Sequence, residues 1–137
     1  MSEPNISAKW AAWSPRLQSI LRFVAAFMFI QAGTMKLFAF PMGIPPNGGT
    51  VQLFSEAGLA GVLETFGGAL LLIGFLTRPV AFILAGEMAV AYFQVHAPKG
   101  FWMIMNGGQP AVFYCFLWLY LSAAGGGAWS VDALRRK

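Results

Sequence analysis

VLETFGGALLLIGFL, residues 62–76, reads as a lipid-soluble helix with one carboxylate, Glu64, set into it. VAFILAGEMAVAYF, residues 80–93, repeats the arrangement with Glu87. An acidic side chain at the centre of a membrane helix costs roughly 2.5–3.5 kcal/mol on insertion scales. It persists where the bundle interior pairs it, protonates it or uses it. What faces Glu64 and Glu87 therefore bears on fold and function together.

The rest of the chain is built for the same solvent. Hydrophobic residues make up 58% of the 137 and charged residues 10%, with a mean hydropathy of +0.64. An ordinary soluble domain carries about 25% charged residues, so a water-soluble core does not account for this composition. The length is that of one domain, 1–137. Four apolar spans are expected near 18–40, 59–76, 79–95 and 109–124. Each is about the length needed to cross ~30 Å of hydrocarbon. With no sheet-like alternation, helices are what satisfies every backbone group in lipid. The expected fold is an all-α integral membrane four-helix bundle.

The connections carry their own signals. Pro41 stops the first span, and Thr77-Arg78-Pro79 is a tight link with Pro79 suited to a first helical turn. Gly125-Gly126-Gly127 terminates the fourth span. PMGIPPNGG, 41–49, is turn chemistry. Residues 50–58 are expected as a short amphipathic segment between the first two helices, a connector or a cover over the bundle mouth.

Basic residues set an orientation. Lys9, Arg16, Arg22, Arg78, Arg135, Arg136 and Lys137 fall on one side of a four-span chain, and Lys99 on the other. The positive-inside rule then places both termini in the cytoplasm. Trp10, Trp13, Trp102 and Trp129 suit interfacial anchoring, and Ala8–Ile20 suits an amphipathic surface helix. A cleaved signal peptide is the rival reading of the N-terminus, disfavoured because no small-residue cleavage site follows. The net charge of +4 lies at segment ends rather than along one stripe, so it does not point to nucleic acid.

Placed by depth at about 1.5 Å per residue, the polar groups gather in the outer half. Gly61, Glu64 and Gly68 share a helical face, as do Glu87, Ala91 and Gln94. Small residues beside Glu64 permit close helix approach. Lys36, on a face with Phe29, Gly33 and Phe40, is the cation placed to pair with Glu64. Glu87 has no obvious cation and is expected either protonated or bonded to Gln94, Tyr114 or His96. Catalytic candidates are Glu64, Glu87 and Lys36. Ligand-binding candidates are His96, Asn106, Gln94, Tyr92, Tyr114 and Phe66. The bland alternative is that the ionic groups only fix helix register, that Lys36 snorkels, that His96 is an interfacial hydrogen-bonder, and that the aromatics serve packing.

Several chemistries are excluded. Cys115 is the only cysteine, so the chain forms no disulfide relay of its own. One histidine makes no bis-His haem site in a monomer. No H-E-x-x-H, P-loop, dinucleotide fingerprint or G-x-S-x-G is present, and no metal site is expected.

Taken in order, several stretches resemble the DoxX family of small bacterial membrane proteins. They are Gly33-Thr34-Met35-Lys36-Leu37, Gly58-Leu59 leading to Leu63-Glu64-Thr65-Phe66-Gly67-Gly68, Gly74-Phe75-Leu76-Thr77-Arg78-Pro79, Met88–Phe93 with His96, Asn106-Gly107-Gly108, Tyr114-Cys115 and Gly127–Asp132. The resemblance implies a four-helix fold in the bacterial inner (plasma) membrane. It also implies an association with membrane redox, quinones and oxidative stress. Lys36, Glu64, Glu87, His96 and Asn106 would line the family's polar pocket, while Gln109 stands where an acidic residue is expected. Three readings follow. The first is a quinone- or small-phenol-binding subunit working with soluble or membrane oxidoreductases. The second is a scaffold that anchors oxidoreductases or forms a homo-oligomer. The third is an oligomeric small-molecule or proton transporter.

Overall fold

The computed structural model describes residues 5–46 and 48–136. Lys137, counted in the charge asymmetry, and Asn47, in the 41–49 turn, lie outside the described residues. Among those described, the chain is helical, with one isolated bridge between Ile44 and Gly49 and no strand. A short helix α1 (Ile6–Ala11) precedes the long α2 (Ser14–Phe38). Next come α3 (Glu56–Val62), a π turn (Leu63–Gly67) and α4 (Gly68–Ile73), forming one 18-residue rod. Helix α5 (Thr77–Ala91) runs through a second π turn (Tyr92–His96) and a 3-10 turn (Ala97–Lys99). The chain closes with α6 (Met103–Asn106), α7 (Gln109–Ala124) and α8 (Val131–Arg135).

Three of these helical stretches are long and apolar enough to cross a membrane: Ile6–Phe38, Glu56–Ile73 and Thr77–Lys99. Helix α7, with 16 residues, spans about 24 Å. The exterior is where the apolar bulk lies. Phe23, Phe27, Phe82, Phe113 and Phe116 are all at least half exposed. Water would not tolerate such a continuous apolar belt on a monomer, whereas lipid does. The protein is a membrane protein.

Inside, α2 packs along α3, the π turn and α4, and α5 packs along α7. Trp118 is the hub. Its ring meets Phe29 edge-on at 5.4 Å and stacks on Tyr114 at 5.8 Å, among buried Leu71, Leu84 and Leu121.

Several boundaries differ from the sequence reading. Helix α2 begins at Ser14, with Pro15 in its first turn, so Ser14–Ile20 extends the long helix. It ends at Phe38, where Ala39 turns left-handed and Phe40 N–H bonds back to Thr34 O. The amphipathic segment expected over 50–58 is not a separate element. Residues 50–55 are irregular, and Ser55 caps α3 by accepting from Gly58 N–H at 3.0 Å.

At the opposite end, the C-terminal turn docks onto α2. Buried Arg22 donates to the carbonyls of Gly126 and Trp129, and Ser19 Oγ accepts from Trp129 N–H. Gly127, at φ +87°, lies where a Cβ would strike Ser19 and Pro15. The triple glycine therefore does more than stop α7: it lets the chain pass against α2. Asp132 then reaches α5, whose first residues lack a cap of their own. Its two carboxylate oxygens accept from Leu76 N–H (2.8 Å) and Thr77 N–H (2.9 Å).

Candidate functional site

Glycine brings the site together. A Cβ on Gly33 would lie 2.5 Å from Thr65 N, and one on Gly68 2.6 Å from Ile30 Cγ1. Only hydrogen fits at these crossings, so α2 lies directly against the π turn. That closeness carries Lys36 to Glu64, where Nζ meets Oε1 at 2.6 Å. Glu64 is 2% exposed and the Lys36 side chain 26%, so the anion is deep and the cation stands at the edge of a cavity. The π turn widens the helix at this residue, a device that recurs at functional positions.

The cavity measures about 880 Å³. Lys36, Glu64 and Glu87 supply polar wall, and Glu56, Gln94 and His96 also line the space. Phe29, Met88 and Tyr114 supply apolar wall. Phe29 and Tyr114 rest on buried Trp118, which closes the space on that side.

Glu87 does not find the partners expected of it. Neither of its oxygens receives a hydrogen bond from Gln94, Tyr114 or His96. The second π turn explains part of this, because it changes the helical phase from Tyr92 onward, and Gln94 is exposed. His96 turns away as well, with Nδ1 3.0 Å from Asn106 O. Both Glu87 oxygens are buried without a hydrogen-bond partner, and Glu87 lines the same cavity as Lys36 and Glu64. Lys36, Glu64 and Glu87 thus form a triad of one cation and two acids.

The remaining candidates divide. Gln94, His96 and Tyr114 line the cavity. Tyr92 and Asn106 do not: they tie the adjoining loop together. Asn106, 3% exposed, donates to Tyr92 OH (3.2 Å) and Gly100 O (2.9 Å) and accepts from Gly108 N–H (2.8 Å). Asn106 is thereby a loop staple that also holds His96 through its carbonyl. Phe66 is 60% exposed and points out of the bundle. Sequence reasoning overlooked Gly86, which lines the cavity with nothing within 4 Å of where its Cβ would stand. Its place one residue before Glu87 was the available signal. Among the described residues no group of three or more His, Cys, Asp and Glu is disposed to hold a metal ion.

The DoxX family model matches residues 17–97, the part of the chain that contributes Lys36, Glu64, Glu87 and His96. The chain is similar to an uncharacterized protein of Haemophilus influenzae, 43% identical over 126 residues, covering 88% of this chain and 91% of that protein. A second uncharacterized protein of Haemophilus influenzae is 30% identical over 132 residues, covering 86% of this chain and 82% of its own length. No solved structure matches.

Proposed function

Because this chain belongs to the DoxX family, we propose that it is a multi-pass inner-membrane protein that binds a quinone or small phenol beside Lys36, Glu64 and Glu87, as an accessory subunit of a membrane redox system. The observation that carries the reading is a cavity of about 880 Å³, mostly apolar, with one cation and two carboxyls converging on one wall. Ligand sites of about 300–1,000 Å³ with a few convergent polar groups are the usual pattern. A quinone ring fits this space. Its polar oxygens match the triad, and Phe29 and Tyr114 offer ring faces.

A bound quinol supplies two electrons and two protons on oxidation. Glu64 or Glu87, as carboxylate, accepts one phenolic proton while Lys36 offsets the charge of the anionic quinol, and the second proton passes to water at the open side of the cavity. The electrons pass to a partner oxidoreductase. Because Phe29, Tyr114 and Trp118 close one side, the space is better suited to a binding pocket than to a conduit. All four long helices cross the bilayer in this reading, with both termini cytoplasmic.

The test is quinone titration of the purified protein in nanodiscs. Wild type binds, and Glu64→Gln and Glu87→Gln each weaken binding about tenfold or more, as losing a hydrogen bond to a charged group (about 1.5–3 kcal/mol) requires. Monodisperse variants with unchanged affinity, or no binding by wild type, would sink the proposal.

A further inference from the structure

Two helical stripes face each other across the cavity. On α3 and its π turn the stripe is Leu59, Ala60, Leu63 and Glu64; on α5 it is Ile83, Gly86, Glu87 and Val90. The α5 stripe follows i, i+3, i+4, i+7 and the other i, i+1, i+4, i+5, and each lies on one side of its helix. Lower down, α4 and the π turn touch α5, but α3 does not pack closely against it. The two rods therefore part alongside the cavity and leave a sideways gap.

Three features describe that gap. Its rim is apolar and open, with Leu59, Ile83 and Val90 each more than half exposed. Its floor on the α5 side is Gly86, with empty space where a side chain would be. Gly86 stands about 14 Å from the start of the Thr77–Lys99 stretch and about 20 Å from its end, the depth of hydrocarbon in a crossing helix. Water gains nothing at such a rim, whereas a hydrocarbon chain buries apolar area there at about 25 cal/mol per Å². Beyond the rim lies the charged triad. A molecule matching both parts has a polar ring and an aliphatic tail.

We infer that the gap between α3 and α5 at Gly86 is a lateral portal through which the ligand enters from the bilayer, and that an aliphatic tail occupies it while the ring lies against Lys36, Glu64 and Glu87. This rests on the pocket reading above and adds the ligand class: a lipid-borne, tailed ring compound rather than a water-soluble phenol.

The test compares decyl-ubiquinone with its tail-less parent, 2,3-dimethoxy-5-methyl-1,4-benzoquinone, binding to nanodisc-embedded protein. Gly86→Phe fills the gap where there is room for a side chain, and Ala60→Phe fills it from the opposite wall. Each is expected to lower the tailed-to-tail-less affinity ratio tenfold or more, with Gly86→Ala holding the wild-type ratio. Membrane partitioning of the probes cancels between variants. A ratio unchanged in both Phe variants, with wild type binding both rings, overturns the portal alone. An unchanged ratio also follows if a bulk lipid chain or a second copy of this chain covers the gap. Binding of neither ring by wild type overturns the pocket reading and the portal with it.

Discussion

At the residue scale, the Lys36–Glu64 pair governs the cavity region of the molecule. Glu64 is sealed in at 2% exposure, so removing its cation leaves an uncompensated charge. Breaking a buried pair this way costs about 3–5 kcal/mol. Lys36→Met is expected near the lower end, because Lys36 itself is partly open. Adding Glu64→Leu should recover most of the loss. Unfolding in mixed detergent micelles, run as a double-mutant cycle, reads both numbers, and a single variant as stable as wild type would show the pair to be energetically idle. Gly33 is the second residue of consequence. Gly33→Val places carbon 2.5 Å from Thr65 N, a clash with backbone that cannot rotate away. The same assay should show a loss of about 1–3 kcal/mol, as for overpacked cores.

At the element scale, π turns and a borrowed cap decide what the helices present. The turn at Leu63–Gly67 keeps Glu64 on the cavity while Gly68 still meets Ile30. Helix α5 begins on Leu76 in a left-handed conformation with no side-chain cap of its own, and Asp132 supplies one from 55 residues further along. Asp132→Ala should cost about 1 kcal/mol, the usual worth of a cap. The effect has a pH signature. Partial burial pushes the Asp132 carboxyl up, but the hydrogen bonds from Thr77 and Leu76 and the nearby Arg135 outweigh it and hold it below its ordinary 3.8. A depressed folded value means the stabilisation is fully present above about pH 4 and fades as pH falls through the folded value. Thermal melts across acid pH should therefore converge for wild type and Asp132→Ala, and a gap that persists at the lowest pH would contradict the cap.

At the scale of the whole molecule, large apolar side chains cover the exterior as well as filling the core, and a few polar groups such as Arg22, Glu64 and Asn106 are buried among them. The proposed four-crossing topology predicts labelling. In a Cys115→Ser background, a cysteine at Lys99 should react with a membrane-impermeant thiol reagent added to intact cells, and one at Arg136 only after lysis. Reaction of both positions, or of Arg136 alone, in intact cells overturns that orientation.

Composition and periodicity alone carried the membrane class, the helical content and the position of α7, because burial of backbone polar groups in lipid leaves helices as the open solution. The i, i+3, i+7 spacing of Gly61, Glu64 and Gly68 also made the approach of Lys36 legible, since small residues set helix distance locally. The fate of Glu87 was not legible. Its surroundings depend on two π turns that shift helical phase, on Asn106 O holding His96, and on Glu64 arriving from another helix. Nor did Asn106 or Tyr92 betray that they staple a loop, or Gly86 that it borders a gap. Those outcomes depend on contacts between segments distant in the chain. A single sequence encodes which face of a helix is polar, while the neighbour that face meets is decided by how the helices cross.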